Sequence, residues 1–359
     1  MSTDTRTALP TPTPDAGSLH GERRLSRAVL AGIYLAGVAL GAALSALTGF
    51  SVTSTVVYGV VLGTLALYVA CRAVEGRRKA ADRLVTALVT TAFAIAMIPL
   101  VSLVYTVLDK GLARLDGDFF NQSMFRVVGE GGGAYHAILG TLIITALATV
   151  ISVPIGLMTA IYLVEYATGR LKKAITFFVD VMTGIPSIVA GLFAFALFTL
   201  FFGNSVRLGV MGAVALSVLM IPVVVRSCEE VLKLVPNELR EASYALGVPK
   251  WRTVVKVVLP TAVAGLGTGV TLAVARVVGE TAPLLVTVGL ITGTNLNPFD
   301  GRMATLPVFA FYQLTQPGTD TQAYLDRAWT AALLLIILVM ALNVVARLIS
   351  RFFAPKTGR

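Results

Sequence analysis

The sequence predicts an all-α, polytopic helical membrane protein, and three observations predict it. Only 13% of the 359 residues are charged and 56% are hydrophobic, whereas a soluble chain carries about 25% charged residues. The apolar residues come in long unbroken runs, each close to the roughly 20 residues that a helix needs to cross a bilayer core about 30 Å thick. The runs are continuously apolar rather than alternating, which excludes a membrane β-barrel.

Taken in order, residues 1–27 are polar and carry Pro10, Pro12 and Pro14 among threonines, and they read as a disordered cytoplasmic tail. Val29–Phe50 and Val52–Val74 form the first two spans, joined by a short turn into a hairpin. The first run exceeds the 7–15 residues of a signal-peptide core, so it reads as a retained anchor. The basic stretch CRAVEGRRKAADR at 71–83 marks a boundary between an accessory hairpin domain, 28–83, and a six-span core, 84–352. The core spans are Leu84–Leu108, Ala137–Val164, Ile175–Phe202, Leu208–Val225, the long and interrupted Pro260–Thr292, and Ala328–Ile349. Eight spans result, with a second short cytoplasmic tail at 353–359.

The net charge of +10 invites a nucleic-acid reading, but its distribution argues for topology instead. Of the 29 Lys and Arg, 22 fall in 1–27, 71–83, 166–174, 226–258 and 347–359, and six in the alternate segments 109–136, 204–209 and 293–327. Basic residues collect in cytoplasmic loops, so both termini are expected inside and no nucleic acid is expected as a partner. Cys71 and Cys228 fall at cytoplasmic membrane edges, where no disulfide is expected, and with only His20 and His136 no metal site is expected. The two polar outer loops, 109–136 and 293–327, either face a partner or are solvated connections.

The cytoplasmic stretch 226–260 reads RSCEEVLKLVPNELREASYALGVPKWRTVVKVVLP. A first short helix begins at Pro236 or Asn237, with Glu238 and Glu241 favouring its dipole in the first turn, and ends at Gly247, a residue suited to a left-handed C′ position. A second begins at Pro249 and runs to Leu259. A stiff pair of this kind docks into a groove of another protein, or it lies on the lipid headgroups. Glu241-Ala242-Ser243, then Gly247, then Val257-Val258-Leu259-Pro260 resembles the EAA motif of bacterial ABC importer permeases, with Ser243 in place of the second Ala and Val257 in place of Ile.

Further stretches resemble phosphate permeases of the PstA type: Arg276-Val277-Val278-Gly279-Glu280-Thr281-Ala282-Pro283-Leu284-Leu285, Gly184-Ile185-Pro186-Ser187-Ile188-Val189-Ala190-Gly191-Leu192-Phe193, and Thr305-Leu306-Pro307. The resemblance covers about 84–352. It implies a substrate path through Arg276, Glu280, Thr281 and Ser187, and ATPase coupling through Glu241, Ala242, Ser243, Gly247, Leu259 and Pro260. It also implies the partners: a second permease, two copies of a cytoplasmic ATPase that carries ATP and Mg, an extracytoplasmic phosphate-binding protein and the bilayer of a bacterial inner membrane. No phosphate-binding loop of the form G-x-x-x-x-G-K-[ST] occurs, so the chain itself is expected to hold no cofactor and hydrolyse no ATP.

Arg276 and Glu280 also stand out physically. Ionisable residues at membrane depth are costly and functional by default. Four residues apart, they are expected on one helix face, either as a structural ion pair or as an anion path in which the guanidinium fork meets phosphate oxygens. Gly279 and Pro283 predict a break there. Readings that remain are a permease for sulfate, molybdate or tungstate and, from another class, an ATP-independent secondary transporter, for which no internal repeat is apparent.

Overall fold

A computed structural model describes residues 25–49, 51–203 and 206–353; most of the two predicted tails lies outside them. The chain divides into two compact units, Met1–Leu103 and Val104–Arg359.

In the first unit, α1 (Arg27–Thr48) is capped by Ser26, whose Oγ accepts from the Val29 N–H, and α2 (Val52–Val74) follows after a short turn. Lipid tails are as apolar as leucine, so spans associate through close backbone approach at small residues. A Cβ built on Gly41 would lie 2.4 Å from the Gly59 nitrogen, and one on Gly37 2.5 Å from the Gly63 Cα. The basic stretch that the sequence suggested as a linker is helix on both sides of a turn at Glu75–Gly76, because α3 (Arg77–Gly111) begins within it. Arg, Lys and Ala are strong helix formers, and after Gly76 nothing in 77–83 breaks the helix. Glu75 fixes the turn: its side chain is 1% exposed, and it accepts from the Leu25 N–H at 2.6 Å and from Arg83 at 3.3 and 3.4 Å. The division between the two units falls within α3.

The second unit continues with α4 (Gly117–Asn121), α5 (Tyr135–Ile161) extended by a π turn at Tyr162–Tyr166, α6 (Gly169–Thr183), α7 (Ser187–Phe202) and α8 (Gly209–Lys233). Next come α9 (Asn237–Ala245), α10 (Lys250–Thr253), a second π turn at Val254–Val258, α11 (Leu259–Val278), α12 (Ala282–Thr287), α13 (Leu306–Thr315) and α14 (Thr321–Phe353). Its core lies among α5, α8 and α11, where Ile144, Ala148, Leu216, Met220, Val224, Cys228, Val258 and Ala273 are fully or almost fully buried. Ser217 Oγ donates to the carbonyl of Ala213, satisfying a hydroxyl that would otherwise be orphaned at this depth.

Among the described residues, seven helical stretches are long and apolar enough to cross a bilayer: α1, α2, α3, α5 with its π turn, α8, the continuous rod Lys250–Val278, and α14. Two expectations are corrected. The predicted fifth span, 175–202, is not one helix: α6 and α7 are bent by 105° at Gly184–Pro186. Pro186 carries no N–H and drives Ile185 out of helical geometry, so eight spans result only if this bent pair is counted as one. The second cytoplasmic helix does not stop at Leu259. The Leu259 N–H reaches the Val254 carbonyl across the π turn, and the helix passes Pro260, whose missing N–H falls just after the widened turn, into the predicted seventh span. That span ends at Val278 and resumes only briefly as α12.

Candidate functional site

The elbow on the basic face is built by α9. Its last turn closes with the Leu246 N–H donating to the Ala242 carbonyl at 3.3 Å, the Gly247 N–H to the Tyr244 carbonyl at 2.9 Å and the Val248 N–H to the Ser243 carbonyl at 3.2 Å. This ending puts Gly247 at φ +74°, a left-handed conformation that a Cβ penalises by about 1 kcal/mol. Ser243 is buried and shares a 2.8 Å hydrogen bond with Thr253, which locks α9 onto α10. Glu241, Ala242, Tyr244, Leu246 and Gly247 remain exposed. Leu246 is 84% exposed and Leu234 81%, so the elbow presents bare apolar side chains among its charges. Leu259 and Pro260 lie inside the rod, half-buried and exposed respectively.

What holds the elbow is a pair that sequence reasoning missed. Arg240 donates from Nε (3.0 Å) and Nη2 (2.9 Å) to one oxygen of Glu165, in the π turn after α5. It also donates to the carbonyls of Leu232 (3.0 Å) and Val235 (2.5 Å), at and just beyond the C-terminal end of α8, where the helix dipole favours a cation. The Glu165 side chain is 4% exposed and that of Arg240 12%. A second cluster ties α8 to α6: Arg226 pairs with Asp180 and, at 2.8 Å, with Glu229, which also takes Lys233 at 2.7 Å. The available signal was Glu165 itself, the lone acid between Tyr135 and Thr168 in an otherwise apolar run.

The break after α11 is the second part of the site. Gly279 lies at φ −86°, ψ 0°, and the Glu280 N–H falls back to the Val277 carbonyl at 3.1 Å. Thr281 then starts α12, with the Leu285 N–H donating to its carbonyl at 3.0 Å. Arg276 is exposed and Glu280 half-buried. Because the helix ends at Val278, the expected common face is lost, and among the described residues no ion pair joins the two. Thr281 lines a cleft of about 450 Å³ with Leu285, Pro307, Phe311, Trp329 and Leu335, so the Thr-Leu-Pro stretch at the start of α13 adjoins the break. The Gly-x-Pro-Ser segment is brought there too: a Cβ on Gly191 would meet the Pro283 Cα at 2.6 Å, which only glycine avoids. Ser187, half-buried at the first position of α7, lies one turn before Gly191, and no described hydrogen bond or ion pair links it to Arg276 or Glu280. Three stretches far apart in sequence thus converge on one interrupted helix. Irregular backbone at membrane depth is tolerated where protein or a water-filled cavity covers it.

Residues 152–359 match the family model described as binding-protein-dependent transport system inner membrane component. The chain is 49% identical over 288 residues to phosphate transport system permease protein PstA 1 of Mycobacterium tuberculosis (strain ATCC 25618 / H37Rv), covering 79% of this chain and 91% of that protein. It is 36% identical over 285 residues to PstA of Pasteurella multocida (strain Pm70), covering 78% and 97%. Among solved structures, a bacterial alginate ABC transporter in complex with an alginate pentasaccharide-bound periplasmic protein has a chain of the same fold, with a TM-score of 0.54 at 15% identity over 77% of this chain and 97% of that one. With its apolar spans, its elbow and its interrupted helix, this multi-pass chain belongs to the family of binding-protein-dependent transport system inner membrane components, alongside the PstA permease proteins.

Proposed function

We propose that this chain is the membrane permease subunit of an ATP-driven importer and forms, with a second permease, the path by which inorganic phosphate crosses a bacterial inner membrane. The single observation that carries this reading is the identity with PstA proteins over more than three quarters of the chain. The convergence of α7, α12 and α13 on the break at Gly279–Thr281 supports it. Arg276, exposed within this chain, supplies a planar fork of donors that matches phosphate oxygens. Glu280, half-buried and without an ion-pair partner among the described residues, accepts a hydrogen bond from a protonated phosphate oxygen. Sulfate, fully ionised near neutral pH, offers no such proton. Thr281 and Ser187 line the same path.

The basic face lies in the cytoplasm, so both termini and the α9 elbow are inside. There α9, with Leu246 and Tyr244 projecting, docks one of two copies of an ATPase, which holds the ATP and Mg. The opposite face receives a phosphate-binding protein. Glu165–Arg240 makes the elbow stiff enough to transmit force rather than absorb it. The test is uptake of radiolabelled phosphate and sulfate in cells with and without this chain. Phosphate uptake dependent on it, at unchanged sulfate uptake, is the expected result; dependence of sulfate instead overturns the assignment.

A further inference from the structure

A cavity of about 150 Å³ in the second unit has a mixed lining: polar His136, Thr292, Tyr312, Gln313, Gln316 and Tyr324 beside five apolar residues. It lies at the end of α5 that is remote from the elbow, among the 112–134 and 289–305 connections. His136 is 2% exposed, and neither ring nitrogen has a partner. Its ring stands edge-on to Phe309 at 5.5 Å, so packing holds the imidazole in place while its polar edge is left over. Arg327, 1% exposed, backs the cavity. Its guanidinium lies 4.5 Å over the Tyr324 ring, and its Nε donates to Gln313 Oε1 at 3.1 Å. Nη1 donates to the carbonyls of Gly129 and Gly131 at 2.8 and 2.9 Å. Nη2 has no partner, and no ion pair to Arg327 occurs among the described residues.

Buried polar atoms in native proteins are satisfied, and an unsatisfied one points to a missing water or ion. The donor set decides which. Arginine carries donors only, so the Gln313 oxygen must face it and the amide NH₂ is free for the cavity. The tyrosine and threonine hydroxyls can all donate, no carboxylate lines the cavity, and the Arg327 guanidinium adjoins it through Gln313 and Tyr324, with Asp320 and Asp326 acting on that charge from beyond ion-pair distance. The start of α5 adds the positive end of a helix with no side-chain cap. Neutral imidazole needs both an acceptor and a donor opposite its two nitrogens. The two nitrogens point away from each other, so one ion meets one of them: the N–H donates to any oxyanion, and the bare nitrogen accepts from the O–H of a hydrogen phosphate, which sulfate and chloride lack.

We propose that this cavity binds a small inorganic oxyanion, separately from Arg276, on the face opposite the elbow. That the oxyanion is phosphate rests on the functional reading above; the preference for an anion rests on the donor set alone. His136 and the Gln313 amide touch the ion, and Arg327 holds Gln313 and supplies the charge.

The experiment is equilibrium binding of radiolabelled orthophosphate to the assembled importer in lipid nanodiscs, with the soluble binding protein left out. Sulfate is run as a second ligand. The variants are His136→Phe, which keeps a ring against Phe309 but removes both nitrogens, His136→Gln, which restores a donor and an acceptor, and Arg276→Gln. Loss of a hydrogen bond to a charged ligand predicts a weakening of at least about tenfold in His136→Phe. Partial recovery in His136→Gln is expected, and in Arg276→Gln the component that depends on Arg276 is lost while the component that depends on His136 remains. Binding of sulfate in place of phosphate, still dependent on His136, leaves the oxyanion site standing and removes the phosphate reading. Wild-type affinity in His136→Phe, or no binding component that survives Arg276→Gln, overturns the proposal.

Discussion

Removing the carboxylate of Glu165 is expected to loosen the elbow without unfolding the membrane core. In Glu165→Ala, Arg240 loses both bonds at 2.9 and 3.0 Å and keeps only carbonyl acceptors. Stranding one member of a buried ion pair costs about 3–5 kcal/mol. Arg240 is 12% exposed at its side chain and can turn toward water, so about 3 kcal/mol is the better figure. That is a rise of about 150-fold in the population of an elbow detached from the π turn at Tyr162–Tyr166. The double variant Glu165→Leu/Arg240→Met replaces the pair by apolar side chains of similar bulk, which is often neutral for stability, and is expected to restore packing. The assay is phosphate transported per ATP hydrolysed by the reconstituted importer, together with limited proteolysis across 234–250. Glu165→Ala is expected to assemble, to be cleaved faster there and to hydrolyse ATP with reduced transport. Wild-type coupling and wild-type protease resistance in Glu165→Ala would refute the reasoning.

Four further expectations follow from the geometry. Gly191→Val puts side-chain atoms where even a Cβ would lie 2.6 Å from the Pro283 Cα, and overpacking of this kind costs about 1–3 kcal/mol, so uptake normalised to assembled complex should fall at least about tenfold while Leu192→Val stays near wild type. Because no ion pair joins Arg276 to Glu280, Arg276→Gln/Glu280→Gln should transport no better than Arg276→Gln alone, and Arg276→Lys should lose most uptake; recovery in the double variant would restore the structural-pair reading. The Leu25 N–H, with help from Arg83, holds the Glu75 carboxyl below its usual range. A lowered folded value stabilises above the ordinary glutamate pKa of about 4.3, so protease resistance of the 25–83 hairpin should be lost as pH falls below that value, and Glu75→Gln should be flat across the same window. Single cysteines at Arg78 and Asp118 should label from opposite sides with an impermeant reagent, and outside labelling at 78 would invert the topology.

Much of this was legible in the sequence because punctuation residues act locally. Gly247 at the end of α9 and the break between Gly279 and Pro283 were readable, since a residue that lacks a Cβ or an N–H limits its own neighbourhood whatever surrounds it. The same logic applied to Gly184-Ile185-Pro186, where a continuous apolar run outweighed a clear breaker and hid the 105° bend. Pro260 misled in the opposite sense: it reads as a start, but the π turn ahead of it lets the helix run through. The ionic fastening was out of reach, because Arg240 and Glu165 are 75 residues apart and nothing local pairs one with the other. The close approach of Gly191 to Pro283 was likewise hidden, since a glycine inside an apolar run does not reveal which backbone it admits.

The rod Lys250–Val278 carries the elbow at one end and the interruption at the other. Its 29 residues are about 44 Å of helix. A tilt of about 5° about the elbow end sweeps the far tip by about 4 Å, comparable to the diameter of a phosphate ion. A lever of this length turns a small rotation at the elbow into a displacement of several ångströms at Gly279–Thr281. The widened turn at Val254–Val258 sits close to the fulcrum, where a bend is multiplied most, so a side chain that stiffens that turn alters the stroke without touching either end.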